Sequence, residues 1–186
     1  MRRRLTDDEF DSMIFGAQRY AWRWEQQPAY EIGYETTKLE AFLAGQPETP
    51  TDNPDMVDYL RRVRQMYFGE HRNIGRVRVV EQPPTDYQRW LAWMDQWNKA
   101  AGEDIHYLPR TVLEQMGPPP FEPDADWWLI DGEKLLIMRF APDGSGRRLG
   151  VELVIDEPVV KLARLWRLAV ISWAAEEESS PLPAAA

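Results

Sequence analysis

Histidine and serine supply the commonest general base and hydroxyl nucleophile in enzymes, and here neither occurs in a known catalytic pattern. The two histidines, His71 in FGEHRNIG and His106 in DIHYLPR, lack metal-ligand spacing to one another, and there is no HExxH motif. None of the five serines lies in a GxSxG elbow. The stretch DGSGRRLG around Ser145 has neither a P-loop lysine nor the glycine spacing of a dinucleotide loop. We therefore predict no catalytic residue, no metal site and no cofactor.

Carboxylates and arginines around the first predicted strand of the core are better candidates for a site. Glu81 ends the strand RVRVVE, and Thr85 or Asp86 can cap the helix that follows it. In an open parallel sheet, ligands bind beyond the carboxyl ends of the strands. Side chains at this edge could hold a ligand or a partner, or they could form an ordinary network of ion pairs. The candidate binding residues are Arg78, Glu81, Asp86, Tyr87, Arg89, Arg110 and Asp131.

Two arginines define the mechanism expected at this edge. Arg78 is predicted on the strand and Arg89 on the first turn of the helix, so their tips could converge on an anionic group. Glu81 and Asp86 would then hold the guanidinium planes, and Tyr87 would close one side. In the competing hypothesis, the same residues only lock the strand to the helix. We expect a structural role for Arg89 and a functional role for Arg78, and Arg89→Ala separates the two hypotheses.

Length and composition narrow the class of protein. The chain has 186 residues, 44% of them hydrophobic, a formal net charge of −9 and no cysteine. This is enough for one domain with a buried core, without disulfides or thiolate chemistry. An acidic chain argues against broad nucleic-acid binding, which needs a basic surface. Since no run of apolar residues is long enough to span a membrane and MRRRLTDDEF lacks the apolar region of a signal peptide, we predict a cytosolic protein.

The first part of the chain predicts helices. From Phe10 to Glu25, apolar residues recur at three- and four-residue spacing, and Thr6 with Glu9 forms a capping-box pattern ahead of them. Further helices are predicted over Glu35 to Ala44 and Asp55 to Tyr67. We therefore expect residues 1–70 to form a helical region packed on the core.

Residues 71–175 predict an α/β core. The strand RVRVVE, a helix from Asp86 and the strand DIHYLPR follow in the order of a parallel crossover unit. A loop over TVLEQMGPPPFEPDAD leads to a hairpin, WWLIDGEKLLIMRF, which turns at Asp131-Gly132. The strand RRLGVELVID and a long helix from Pro158 complete the core, and residues 176–186 are predicted to be a disordered tail. The expected fold is a single mixed-sheet domain of the α/β or α+β class.

Tryptophan is unusually frequent, with nine residues. Most fall at core positions of predicted helices, where burial of a large aromatic ring is the usual role. However, Trp90, Trp93 and Trp97 make one helix face wider than a single contact stripe. Part of this excess could serve a partner or a ligand pocket.

Three parts of the chain carry a resemblance to a known family. They are the block RVRVVEQPPTDYQRWLAWMDQWNKAAGEDIHYLPR, the segment ADWWLIDGEKLLIMRFAPDGSGRRLGVELVIDEP and the opening FDSMIFGAQRYAWRWEQQPAY. Together they resemble an uncharacterised actinobacterial family, a domain of unknown function. The resemblance covers nearly the whole chain. It implies a genomic neighbourhood that often contains helix-turn-helix regulators and small partner proteins, and it names no reaction.

The order of elements is also similar to half of a phospholipase D-like domain. Active members of that superfamily use a His-x-Lys-x4-Asp motif, and neither His71 nor His106 begins one. The resemblance therefore implies a copy without the phosphotransfer nucleophile. Fold alone would then say nothing about activity.

Two hypotheses for function follow. The first is a non-catalytic cytosolic regulatory or protein-interaction domain, which would act with a DNA-binding regulator or a small partner protein and would bind neither nucleic acid nor membrane directly. The second is a small-molecule-binding domain or unorthodox enzyme that uses the arginine and carboxylate edge. A cavity lined by those side chains would favour the second hypothesis. The oligomeric state, including a homodimer, stays open.

Overall fold

The computed structural model describes residues 2–33 and 35–179, without the side chains of residues 176–179. One sheet of seven strands, in the order β1-β7-β6-β5-β2-β3-β4, runs through the molecule. Strands β2, β3 and β4 are parallel, and the other neighbouring pairs are antiparallel. The strands are β1 (Arg2–Leu5), β2 (Tyr20–Glu25), β3 (Asn73–Val80), β4 (Asp104–Pro109), β5 (Asp126–Ile130), β6 (Lys134–Phe140) and β7 (Arg148–Val154). The predicted single mixed-sheet domain of the α/β class is confirmed.

Helices cover both faces of the sheet. Helices α5 and α6 contribute to an apolar core on one face, while α1 and α3 contribute to a second apolar cluster on the other. Beside this second cluster, α4 packs with residues of α2 in a third. The helices are α1 (Asp7–Phe15), α2 (Glu35–Leu43), α3 (Pro54–Arg64), α4 (Asp86–Ala100), α5 (Arg110–Met116) and α6 (Glu157–Ser179). None of the helices among the described residues combines the length and the apolar composition of a membrane span.

The predicted helix over Phe10 to Glu25 is wrong in its second half. Helix α1 ends at Phe15, and Tyr20–Glu25 forms β2 in the middle of the sheet. Tertiary packing decides this conformation, because both faces of the strand are covered and its charged residues are largely buried instead of facing solvent. Residues 1–70 thus supply β1 and β2 to the sheet in addition to three helices, and they share that sheet with residues 71–175.

The crossover unit and the hairpin are confirmed. Strands β3 and β4 pair in parallel with α4 between them in the chain. Strands β5 and β6 pair antiparallel across a turn in which Asp131 and Gly132 have φ of 54° and 73°. Left-handed φ values at both positions are what a tight hairpin turn requires, and Asp-Gly is a favoured dipeptide for it.

Two predicted irregular segments are partly helical. The predicted loop after β4 begins with α5, which buries Val112 and Leu113 against the core. The predicted disordered tail begins within α6, which continues to Ser179 because its core-facing side carries apolar residues as far as Ala174. The rest of that predicted tail, residues 180–186, lies outside the described residues.

Candidate functional site

The sheet carries a row of charged residues on one face of its two central parallel strands. Arg23 of β2 lies opposite Arg76 of β3, and Glu25 lies opposite Arg78. Because side chains alternate along a strand, these four point to the face that α2, α3 and α4 cover. The intervening residues of β2, including Trp24, point into the apolar core on the other face. The sheet therefore has one apolar face and one face with a buried charged centre.

Arg76 is the most fully engaged of the three arginines. Its Nε donates to Glu103 Oε1 at 2.8 Å, and its terminal nitrogens donate to Glu25 Oε2 at 3.1 Å and to the Tyr59 hydroxyl at 2.9 Å. Tyr59 in turn donates to Glu103 at 3.1 Å. This closed set of contacts ties β2, β3 and α3 together.

Arg78 connects the sheet to α4. It donates to Asp95 Oδ2 at 2.5 Å and to Glu25 Oε2 at 3.4 Å, and it is 2% exposed. The hydroxyl of Tyr107 donates to the same Asp95 oxygen at 2.6 Å. The other oxygen, Asp95 Oδ1, and the Nε of Arg78 are buried without a hydrogen-bond partner among the described residues.

Arg23 is the least engaged arginine. Among the described residues it makes one hydrogen bond, to Asp126 Oδ2 at 3.4 Å, and a longer ionic contact of 3.9 Å with Glu25 Oε2. Its Nε has no hydrogen-bond partner in the described part of the chain, and its side chain is 17% exposed. The guanidinium lies 5.1 Å from the centre of the Tyr30 ring, and the Tyr30 hydroxyl donates to Asp126.

Burial and neighbouring charges set opposite pKa shifts in this cluster. Burial alone would raise the pKa of Glu25, but the three arginines outweigh it and hold that pKa well below its usual range. Burial raises the pKa of Asp126. It also raises the pKa of Glu35, on α2, to about 7, although a hydrogen bond from Tyr87 opposes the shift. Glu35 is therefore a carboxyl group that titrates near neutral pH.

A cavity of about 420 Å³ lies between the charged face and helices α2, α3 and α4. Its charged lining is balanced, with five basic and five acidic side chains. The charged residues are Arg23, Lys38, Arg62, Arg76 and Arg78, with Asp11, Glu35, Asp55, Asp58 and Asp95. The apolar residues are Phe15, Ile32, Met56, Trp90, Leu91 and Met94, and the lining also includes Tyr59 and Asn98. The cavity thus combines apolar walls with a few converging polar groups, as ligand pockets do.

Helix α4 begins with a capping box and carries polar residues on the face that lines the cavity. The Thr85 hydroxyl caps its first turn by accepting from the backbone N–H of Gln88 at 3.1 Å. The backbone N–H of Thr85 in turn donates to Gln88 Oε1 at 3.2 Å. From this start, Asp95 and Asn98 are one turn apart and share a face with Met94. Asn98 Oδ1 is buried without a hydrogen-bond partner in the described part of the chain.

The predicted edge residues separate into different places. Arg78 lines the cavity, and Tyr87 adjoins it through its bond to Glu35. Glu81 and Arg110 pair with each other at 2.9 Å outside the cavity lining.

Asp86 and Arg89 form an exposed pair at 2.5 Å on the first turn of α4. The predicted convergence of Arg78 with Arg89 is wrong. Arg78 contacts Asp95 on the buried side of α4, whereas Arg89 lies on the exposed side of the same helix. Asp131 lies in the hairpin turn, where it accepts backbone N–H groups of Gln18, Arg19 and Tyr20.

Several residues at the centre of the site were not among the predicted ones. They are Arg23, Glu25, Glu35, Arg76, Asp95 and Asn98. One signal for them exists in the sequence, because charges alternate with large apolar residues in WRWE and RVRV. In a strand, that period of two places all the charges on one face. Among the described residues, no group of three or more histidines, aspartates or glutamates could hold a metal ion.

A family model described as a domain of unknown function (DUF6879) matches residues 8–179. No curated protein matches the sequence at a significant level. One solved structure, TrmBL2, described as an archaeal chromatin protein with a novel mode of DNA binding, is 10% identical with a TM-score of 0.43, and the match covers 90% of this chain and 52% of that one. This chain therefore spans about half of the TrmBL2 chain.

A second solved structure, NucT from Helicobacter pylori, is 8% identical with a TM-score of 0.49, and the match covers 92% of this chain and 94% of that one. At these scores neither similarity carries an argument about function. The predicted likeness to half of a phospholipase D-like domain stays a prediction.

Proposed function

This chain belongs to the DUF6879 family, a domain of unknown function, and we propose that it is a non-catalytic regulatory domain that binds a small molecule with an acidic group. The binding site is the cavity between the charged face of the sheet and helices α2, α3 and α4. The regulatory role comes from the first sequence-based hypothesis. The binding of a small molecule comes from the second, with the site moved from the strand edge to the sheet face.

The observation that carries the proposal is the unused hydrogen-bonding capacity of Arg23. A guanidinium has five N–H donors in a planar fork that fits a carboxylate or phosphate. Toward the residues that the structure describes, Arg23 uses one of them, in a 3.4 Å bond to Asp126, although it lines the cavity. Arg76, one strand away, is by contrast bonded to two carboxylates and a phenol. An acidic group in the cavity would complete the set of bonds that Arg23 lacks.

The size and walls of the cavity also support a small organic ligand. A volume of about 420 Å³ lies within the range of roughly 300–1,000 Å³ that ligand pockets occupy. Trp90, Leu91 and Met94 give it an apolar wall along α4. A ligand with an acidic head and an apolar body would match both parts of the lining.

The test is a screen of small carboxylic acids with aromatic or branched aliphatic groups, read by the shift in melting temperature and then by calorimetry. We expect at least one acid to bind, and Arg23→Gln to weaken that binding at least tenfold. Arg19→Gln is the matched control, since Arg19 is an exposed arginine outside the cavity. Binding that survives Arg23→Gln unchanged, or no binding by any acid of the screen, would contradict the proposal.

A protein-binding role is the second candidate, and one surface favours it. Helix α6 packs one side into the core but exposes a row of large apolar side chains on the other. The row consists of Leu162, Leu165, Leu168 and Trp173, which are 37%, 55%, 61% and 41% exposed. Exposed apolar patches of this kind often mark protein contacts. The partner proposed from the sequence, a DNA-binding regulator or a small partner protein, would dock on this row.

Its test is co-purification from a native host with tagged protein. The double substitution of Leu165 and Leu168 by Ser should remove a partner that the unsubstituted protein retains. Leu149→Ser removes a similarly exposed leucine from β7 and serves as the control. Recovery of the same partner with the double variant would exclude the α6 row as the docking surface.

A further inference from the structure

The exposed side of α6 has the spacing of a coiled-coil contact line, which we call the α6 seam. Lys161, Leu165, Leu168, Ser172 and Ala175 are all exposed, and they follow one another at intervals of four, three, four and three residues. Side chains at these intervals form the line along which two helices pair. The seam lies opposite the side of α6 that packs into the core, so a second helix can lie along it.

The α6 seam is bulky at one end and slender at the other. Leu165 and Leu168 lie in its first half, and Ser172 and Ala175 lie in its second half. When two such seams are antiparallel, the leucines of each copy lie against the small residues of the other, and the two surfaces fit without gaps. A parallel pair would place leucine against leucine and leave voids at the slender end, which lose packing contacts. The shape of the seam therefore fits an antiparallel copy of itself.

The charges of α6 favour the same arrangement. Residues 157–168 contain three basic residues and one acidic residue, whereas residues 169–179 contain three acidic residues and no basic one. In an antiparallel pair, the basic half of each helix lies beside the acidic half of the other, and each positive helix end lies beside a negative one. A parallel pair would bring like charges together. Because the chain has a net charge of −9, two copies repel one another unless their interface supplies such complementarity.

From this spacing, shape and charge we propose that the α6 seam binds a second copy of the chain, as an antiparallel helix pair with two-fold symmetry. Each contact then occurs twice, as in other isologous dimers. The inference goes beyond the binding of an acid and does not require the cavity to be occupied. A second copy would cover the α6 row, so it would compete there with the partner protein of the second candidate function.

The length of the seam sets the strength of this dimer. From Lys161 to Ala175 the seam is about 21 Å long, at about 1.5 Å for each residue of a helix. One helix pair of this length buries less than the roughly 800 Å² for each partner that a standard interface buries. We therefore expect a dimer that forms and dissociates in the micromolar range of concentration.

Sedimentation equilibrium of the full chain, from about 1 μM to about 1 mM, tests for the dimer. We expect the mass to rise with concentration from 21.8 kDa towards twice that value. Leu168→Glu places a carboxylate in the middle of the seam and should weaken association by about tenfold or more. Leu149→Glu is the matched control, because it makes the same change at an exposed leucine of β7 and should leave association unchanged.

Introduced cysteines report the orientation of the two helices, since the chain has no cysteine of its own. In an antiparallel pair, position 161 of one copy lies near position 175 of the other, and the two copies of position 161 lie at opposite ends. A mixture of Lys161→Cys and Ala175→Cys should therefore form a covalent dimer with a short thiol crosslinker. Lys161→Cys alone should not.

Three outcomes would overturn the inference. A mass that stays at 21.8 kDa at every concentration shows a monomer and leaves the α6 row to another partner. Association that survives Leu168→Glu places the second copy elsewhere, and crosslinking of Lys161→Cys to itself shows a parallel pair. If Leu168→Glu does not fold, the crosslinking of the cysteine variants decides. None of these outcomes affects the acid-binding function, which is tested through Arg23.

Discussion

Replacing Glu35 by glutamine should make the protein more stable at pH 8, although the change removes a side chain that lines the cavity. Burial raises the pKa of Glu35 to about 7 from an ordinary value of 4.5. At pH 8 the folded protein must therefore hold a buried carboxylate, while the unfolded chain ionises it freely. At about 1.4 kcal/mol for each unit of pKa, this costs the folded state about 3 kcal/mol.

The pH dependence of this effect has a definite sign. The folded state binds the Glu35 proton more tightly than the unfolded state, so the cost is absent well below pH 4.5 and grows as the pH rises towards 7. Glutamine stays neutral throughout, and its carbonyl can still accept the bond from Tyr87. The stability advantage of Glu35→Gln should therefore be less than about 1 kcal/mol at pH 5 and should reach about 3 kcal/mol at pH 8.

Urea unfolding followed by tryptophan fluorescence measures this difference directly. Midpoints and slopes are compared at pH 5, 6, 7 and 8, and an unchanged slope shows that only stability has changed. Glu40→Gln is the control, because Glu40 is an exposed glutamate on the same helix. A difference between Glu35→Gln and the unsubstituted protein that stays flat with pH would refute the reasoning, as would a loss of stability at pH 8.

Three further substitutions test the rest of the site. Arg76→Ala removes the main partner of the buried carboxylate of Glu103 and one of three arginines around Glu25, and unfolding in urea should show a loss of about 3–5 kcal/mol; a loss below about 1 kcal/mol would contradict the network. Asp131→Asn weakens charge-assisted bonds from three backbone amides, so it should cost about 1–3 kcal/mol at pH 7. Burial would raise the pKa of Asp131, but those amides hold that pKa below its usual range. The stability lost in Asp131→Asn should therefore shrink as the pH falls through the usual range of an aspartate, and a loss that does not change with pH would contradict this role of the amides. Arg89→Ala removes an exposed pair and should change stability by less than about 0.5 kcal/mol with ligand binding intact; a larger loss would restore the sequence-based view that Arg89 is structural.

The elements that could be predicted from sequence are those with local signals. Thr85 or Asp86 is predicted to cap α4, and the structure places the cap at Thr85, which forms a capping box with Gln88. Asp131 and Gly132 supply the left-handed turn of the β5–β6 hairpin, which was also predicted. In each case a few neighbouring residues determine the backbone conformation, so no knowledge of tertiary contacts is needed.

Strand β2 and the charged centre could not be predicted in this way. The apolar residues Ala17, Ala21 and Trp24 follow the three- and four-residue spacing of a helix, and this spacing outweighed the two-residue alternation of WRWE. Arg23 and Glu25 are buried because distant parts of the sequence bring counter-charges, Asp126 of β5 to Arg23 and the arginines of β3 to Glu25. The sequence therefore predicts the site at a strand edge, where charge is easily accommodated, whereas the structure places these residues in the middle of a sheet face.

The central place of β2 also determines the order in which the sheet can be completed as the chain is synthesised. One neighbour of β2 begins at Asn73, and the other begins at Asp126. Until that second neighbour has left the ribosome, one edge of β2 and its two tryptophans have no partner strand. A fragment that ends before Asp126 therefore presents an open, tryptophan-rich strand edge, which is the kind of surface through which nascent chains aggregate.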